Sequence, residues 1–230
     1  MTASRWEAVL FDFGGTLDGD GIHWSRRFDA AFRAQGLEYP ATALDPAFRA
    51  AEDAINADAS VAGLNLHASL RMECGLMLAH LGFPDPAPAD RAAAFLLAET
   101  RDHLDRNSRV LESLRGRARV AILSNFTGNL ELILREEGLL PLVDAVCDSA
   151  VVGLRKPDPD FFLHALGRLG ATPAGAIMVG DSVDMDLRPA RALGMATAWV
   201  RGPVQRRTDF RPDFTLGSAR DFLAVWDGGI

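Results

Sequence analysis

Two kinds of hydrophobic pattern alternate along the chain. Residues 8–13 (AVLFDF) are a short apolar, aromatic-rich run stopped by Gly14 and Gly15, which predicts a buried strand ending in a tight loop. Ala118–Leu123 (ARVAIL), Leu142–Cys147, Ala176–Val179 and Ala196–Val200 are apolar segments of similar length, and Phe214–Leu216 adds a shorter one. Between them, Asn129–Glu137, Pro159–Leu169 and Met185–Leu193 carry apolar residues at helical spacing, and Ser218–Val225 predicts a closing helix. Strands alternating with amphipathic helices predict βαβ crossovers. The expected fold is therefore α/β, a Rossmann-like parallel sheet in a three-layer αβα core, with ligands at the carboxyl ends of the strands.

From about Ile22 to Asn107 the pattern changes. SRRFDAAFRAQG, DPAFRAAEDAINA, HASLRMECGLMLAHLG and ADRAAAFLLAETRDHLDR all space their apolar residues as helices do, with Gly and Pro between them. This predicts an all-helical insert. The chain then divides into a core of residues 1–18 and 108–230 and a helical unit of residues 19–107. The Met and Leu residues of RMECGLMLAHL read as packing residues.

Composition narrows the partners. The net charge of −7, with no basic cluster denser than Arg206-Arg207, leaves no electrostatic footprint for nucleic acid or an anionic membrane. No segment approaches the roughly 20 apolar residues of a membrane span. The opening MTASRWEAVLFDF lacks a basic region followed by a long apolar stretch, so a cytoplasmic location is expected. Cys74 and Cys147 form no CxxC pair and read as buried small hydrophobes, and the five histidines form no HExxH motif. A small-molecule partner is favoured, and no feature fixes an oligomeric state. Lys156 is the only lysine among 24 basic residues.

Four segments follow successive predicted strands: FDFGGTLD (11–18), ILSN (122–125), LRKPDPDFF (154–162) and VGDSVDMDLRPARALGM (179–195). Their residue types suit phosphoryl transfer. A carboxylate such as Asp12 can attack phosphorus and divide one hard hydrolysis into two easier steps. Lys156 supplies a cation near the nucleophile, and Asp12 with Asp181 suits an octahedral Mg²⁺. Backbone N–H groups of Gly14, Gly15 and Thr16, with the hydroxyls of Thr16 and Ser124, can hold phosphoryl oxygens. Singly, each residue has a structural reading as a turn or helix cap. For Asp186, Asn125 and Ser182 that reading stays open beside the functional one, and Asp184 reads as solvent-facing.

The order and composition of these segments resemble the haloacid dehalogenase-like hydrolase superfamily, from Val9 to about Val200, and the helical insert resembles that family's cap of the first type. The resemblance implies a Mg²⁺-dependent phosphoric monoester hydrolase acting on a small phosphorylated molecule through an aspartyl-phosphate. It implies Asp12, Thr16, Ser124 and Lys156 as catalytic groups, with Gly15, Asn125 and Arg26 toward the substrate. Asp12, the Gly14 carbonyl, Asp181 and Asp186 are the implied metal-binding positions.

One position departs from the pattern. Phosphatases of the family usually read DxDGT, the second aspartate protonating the leaving alcohol, and here that position is Gly14. General acid–base catalysis contributes about 10²–10⁴-fold, so the loss matters most for poor leaving groups. Asp18, Asp20, His23 and a residue of the cap are candidate replacements, although Asp18 and Asp20 read first as solvated hinge residues. The alternatives are a catalytically weak phosphate-binding regulatory protein and a haloacid dehalogenase. A phosphonatase of the Schiff-base type is set aside because the insert has no lysine. Substrate choice is expected to lie in the insert, where Trp24, Arg26 and Arg27 are candidate contacts. Mobility is expected near Leu17–Gly21 and Asn107–Arg109, where the insert joins the core.

Overall fold

The computed structural model describes residues 6–83, 85, 87–203 and 208–228; the Arg206-Arg207 pair lies outside them. Six strands, β1 (Ala8–Phe11), β2 (Arg119–Ser124), β3 (Ala145–Asp148), β4 (Ala176–Gly180), β5 (Ala196–Val200) and β6 (Phe214–Leu216), form one sheet in the order β3-β2-β1-β4-β5-β6. Every pairing is parallel, and β1 lies between β2 and β4 with Phe11 level with Ile122 and Val179. This is the Rossmann strand order, whose crevice opens beside the first strand at the carboxyl edge.

The sheet is buried on both faces because its strands are apolar at successive positions. Val9 and Phe11 join Ile122 and Val179 on one face, while Leu10 joins Ala121, Leu123 and Met178 on the other. The second face is covered by α7 (Pro159–Leu169) and α8 (Arg188–Ala192), and the first by α5 (Leu130–Glu136) and α9 (Phe222–Trp226). Local chemistry sets these boundaries. In α7, Asp158 accepts from the N–H of Asp160, Pro159 occupies the first turn, and Gly170 ends the helix in the left-handed region. A single turn, α6 (Ser149–Val152), leaves the end of β3, capped by Asp148.

The insert holds α1 (Trp24–Arg33), α2 (Ala41–Ala57), α3 (Leu66–His80) and the first part of α4 (Ala87–Leu114). Two boundaries differ from expectation. Helix α2 begins before the Asp45-Pro46 pair, so Pro46 sits in its second turn, where its missing N–H removes one intrahelical bond. Helix α4 runs beyond Arg106 because Val110, Leu111 and Leu114 prolong its apolar stripe and bury it against the core. The second passage between insert and core therefore lies inside a continuous helix. One hydrophobic cluster extends from Val9 and Phe11 of the sheet to Phe28, Phe48 and Leu70 of the insert.

The first passage, at residues 18–22, is tied to the second by Asp20. Its Oδ1 accepts from Asn107 Nδ2 and the N–H of Ala219, both at 2.9 Å, and its Oδ2 lies 3.0 Å from His103 Nδ1. Asn107 Nδ2 also donates to the Leu17 carbonyl at 2.8 Å. Asp20 holds a φ of 47°, which an aspartate tolerates better than most residues. Asp20 and its neighbour Asp18 are thus not solvated. The carboxylate of Asp18 is wholly buried and that of Asp20 largely so, each engaged by groups of the adjacent helices.

Burial works to raise the Asp20 pKa, but the bonds from His103, Ala219 and Asn107 outweigh it and hold the carboxyl below its usual range. Stability from a depressed carboxyl is present above its unfolded pKa and lost as pH falls through the folded one. Asp20→Ala is expected to cost about 2 kcal/mol at neutral pH through three lost partners. In urea denaturation followed from pH 7 to pH 3, the gap between wild type and variant should narrow with acidification; a constant gap would reject the assignment.

Candidate active site

The carboxyl ends of β1, β2 and β4 bring together residues far apart in sequence. Asp12 follows β1 directly, and its N–H donates to the Val179 carbonyl at 3.0 Å, continuing the strand pairing by one step. The chain then turns sharply through Phe13–Leu17. Gly15 has a φ of 84°, and a Cβ there would lie 3.1–3.2 Å from the carboxylate of Asp181. Both the backbone conformation and the close approach of the β4 loop require glycine. Gly14, by contrast, has φ −69° and ψ 115°, open to any residue, and a Cβ on it would point at Trp24 with Nε1 3.5 Å away.

Lys156 is the electrostatic centre. Its Nζ donates to Asp12 Oδ1 at 2.7 Å and to Asp186 Oδ1 at 2.6 Å, with all three side chains buried. Burial alone would lower its pKa, but the two carboxylates outweigh this and hold the ammonium above its ordinary value, so it stays charged. Ser124 Oγ donates to Asp12 Oδ1 and Thr16 Oγ1 to Asp12 Oδ2, each at 3.0 Å. Asp186 Oδ2 accepts the N–H of Ser182 at 3.0 Å. Burial pushes the Asp186 carboxyl above its usual range, with Lys156 pulling it down.

Asp12, Asp181 and Asp186 each present an oxygen within 4.8 Å of the others, and all three are buried. Three ionised carboxylates around one ammonium leave a surplus of negative charge in a place of low dielectric, which is costly unless a cation offsets it. Carboxylate oxygens are the donors a hard divalent ion prefers. The residues fit Mg²⁺.

The structure brings Asp12, Thr16, Ser124, Lys156 and Asp186 into one hydrogen-bonded unit with Asp181 beside it, but it uses other candidates differently. Asn125 spends its side chain on the backbone of Lys156: Oδ1 accepts the N–H at 2.8 Å and Nδ2 donates to the carbonyl at 3.0 Å. It positions the lysine instead of facing a substrate. Ser182 accepts from the N–H of Met185 and caps the following turn, while Asp184 is exposed as expected. Arg26 is exposed on α1, outside the carboxylate cluster.

Arg27 is not a substrate contact. It is 1% exposed, lies 3.6 Å from Asp18 Oδ1, and donates to Glu99 at 3.0 Å and Thr100 at 2.5 Å. Asp18 is pushed up to about 6 by burial, against the pull of Arg27 and the Gly15 N–H, which it accepts at 2.6 Å. Asp18 is thus engaged by Arg27 and the Gly15 N–H, and Asp20 by His103 and Asn107. His23 is exposed and accepts from the N–H of Ser25 at the start of α1. Two positioning groups had no distinctive signal in the sequence. Asp148, at the end of β3, accepts the N–H groups of Gly128 and Leu130 and shapes the loop after β2. Asn129 bonds across to the insert, donating to the Leu64 carbonyl and Ser69 Oγ.

Residues 6–194 match the family described as haloacid dehalogenase-like hydrolase. The haloacid dehalogenase-like hydrolase domain-containing protein 3 of Bos taurus is 35% identical over 182 residues, 74% of this chain and 72% of its own length. A phosphoserine phosphatase of Thermus thermophilus is 38% identical over 111 residues, covering 46% of this chain and 43% of the relative. The L-2-haloacid dehalogenase RSc1362 superposes with a TM-score of 0.63 at 22% identity, covering 97% of this chain and all (100%) of that one. The HAD hydrolase YfnB of Bacillus subtilis, solved with magnesium, gives 0.61 at 16% identity, covering 97% and 99%. The two structural likenesses concern the fold. No described helix is long and apolar enough to cross a membrane.

The contrast between the adjacent glycines is open to measurement. Gly15→Ala should destabilise by about 1–3 kcal/mol, through a strained left-handed backbone and crowding against Asp181. Gly14→Ala should stay within about 1 kcal/mol of wild type, the unfolded chain losing freedom at no native cost. Chemical denaturation of both variants decides this, and equal losses would contradict the geometry.

Proposed function

The chain belongs to the haloacid dehalogenase-like hydrolases, and on that premise we propose that it is a Mg²⁺-dependent phosphohydrolase of small phosphorylated molecules that works through Asp12. The observation that carries this reading is the Lys156 ammonium bridging Asp12 and Asp186, with Asp181 completing a cluster of three buried carboxylates. Phosphatase names among the relatives support it, although those matches span under half of each relative's length.

In this reading a carboxylate oxygen of Asp12 attacks phosphorus as the bond to the leaving oxygen breaks, and the electron pair departs on that oxygen. Water then attacks phosphorus and the P–O bond to Asp12 breaks, restoring the carboxylate and releasing phosphate that carries both water protons. Lys156 and the hydroxyls of Thr16 and Ser124 orient Asp12 and reduce its repulsion of a phosphate dianion. The N–H groups of the loop at Gly14 and Thr16 receive phosphoryl oxygens, while the Gly15 N–H is held by Asp18 and joins them only if Asp18 releases it. Mg²⁺, held by Asp12, Asp181, Asp186 and the Gly14 carbonyl, would supply charge neutralisation and a template for the phosphoryl group. Residues 19–107 act as the cap that selects the substrate, with Arg26 as an anion contact, in the cytoplasm.

Gly14 leaves the loop without a carboxyl to protonate the departing oxygen, so good leaving groups are favoured. Phosphate release is expected from acetyl phosphate and p-nitrophenyl phosphate with Mg²⁺, to be abolished by EDTA and to fall at least about 10³-fold in Asp12→Asn. A well-folded wild type that releases none from either substrate would overturn the reading in favour of a phosphate-binding protein. Release that survives Asp12→Asn would remove Asp12 as nucleophile.

A further inference from the structure

Trp24 stands at the first turn of α1, directly over the loop that carries Asp12. Its Nε1 is 3.5 Å, and its Cδ1 3.7 Å, from the point where a side chain on residue 14 would begin. The ring is held on two sides. The Arg27 guanidinium lies 3.8 Å from its centroid and Phe28 packs at 5.7 Å between centroids. Arg27 is itself immobilised by Glu99, Thr100 and Asp18. Among the described residues the indole N–H has no hydrogen-bond acceptor, whereas the Asp12 carboxylate, the hydroxyls of Thr16 and Ser124 and the Gly15 N–H all have partners. Trp24 is half-buried, so its N–H meets solvent until a substrate oxygen enters beside the loop and takes that bond.

Resting on the phosphohydrolase reading, we propose that Trp24 donates its indole N–H to the leaving oxygen, making the site selective for aryl, enol and acyl phosphates. The P–O bond breaks with its electron pair on the oxygen, which departs as an anion held by the N–H; no proton passes from the indole. A donor that cannot release its proton stabilises a developing oxyanion but cannot convert an alkoxide into an alcohol. The empty position at Gly14 belongs to the same arrangement, because a longer side chain there would extend toward the indole. The selectivity is a property of the pair, a residue without a side chain on the core and an N–H donor on the insert.

The test compares wild type, Trp24→Phe and Asp12→Asn on acetyl, p-nitrophenyl and phenyl phosphate, whose leaving oxygens are progressively more basic. Phenylalanine keeps a ring against Arg27 and removes the donor. The hydrogen bond gains strength as charge builds on a more basic oxygen, so Trp24→Phe should leave acetyl phosphate within about twofold. It should lower kcat on phenyl phosphate about tenfold, with p-nitrophenyl phosphate between. Ratios between substrates are unaffected by a change in the folded fraction, so an incompletely folded variant still decides the question. An equal loss on all three substrates, or none, with Asp12 dependence intact, overturns the role of Trp24 alone. Release that persists in Asp12→Asn overturns the parent reading instead, and no release from any of the three substrates overturns both.

Discussion

One ammonium, shut away from water between two carboxylates, sets the geometry of the whole carboxyl edge. Such a buried pair adds little to stability, because removing both charges from water costs about what their attraction returns. Its importance is that no member can be omitted cheaply once the others are in place. Lys156 needs Asp12 and Asp186, and each of these needs its remaining oxygen satisfied, by Thr16 in one case and the Ser182 N–H in the other. Asn125 then fixes the lysine from behind by bonding both sides of its backbone. The register that sets Phe11 level with Ile122 and Val179 is the condition for all of it.

The insert is joined to this centre by charge as well as by the hydrophobic cluster. Arg27 reaches the loop after β1 through Asp18, and reaches α4 through Glu99 and Thr100. Asp18 in turn receives the Gly15 N–H, from the residue whose Cα faces Asp181. Motion of α1 is therefore coupled to the loop that follows Asp12, and the passage at residues 18–22 is not a free tether. The pair has slack: Asp18 Oδ2 and Arg27 Nη1 are buried without a hydrogen-bond partner. Such groups are expensive at rest and give the loop a reason to rearrange if a better partner arrives.

Much of the architecture could be read from the chain because parallel strands leave an unmistakable trace. β5, β6 and α7 fall where their apolar patterns place them, the last marked by Asp158-Pro159 at its start and Gly170 at its end. The single turn of α6 and the onset of α2 ahead of Pro46 escaped, since both depend on tertiary packing more than on local propensity. Within the site, Asp12 stood out as an aspartate at the exit of a buried strand, Lys156 as the lone lysine of the third segment, and Asp181 by its placement together with them. Asn125 was visible but its role was not: an amide serves a ligand or a neighbouring backbone equally well until its partners are known. The burial of Asp18 and the approach of Trp24 to Gly14 depend on contacts between loop and insert that no local pattern encodes.

Charge also separates phosphoryl from halide chemistry on this scaffold. A carboxylate displacing halide needs no second or third acid beside it, since the departing ion requires no proton and no dianion enters the site. Here Asp181 and Asp186 are buried with Asp12, and Lys156 alone cannot balance the three. Retaining that surplus is costly without a function, because each buried carboxylate forfeits its hydration. A divalent cation removes the surplus and leaves a site able to accept a phosphate dianion. The likeness to dehalogenase structures, at 22% identity, reflects the shared sheet and insert and does not bear on this balance.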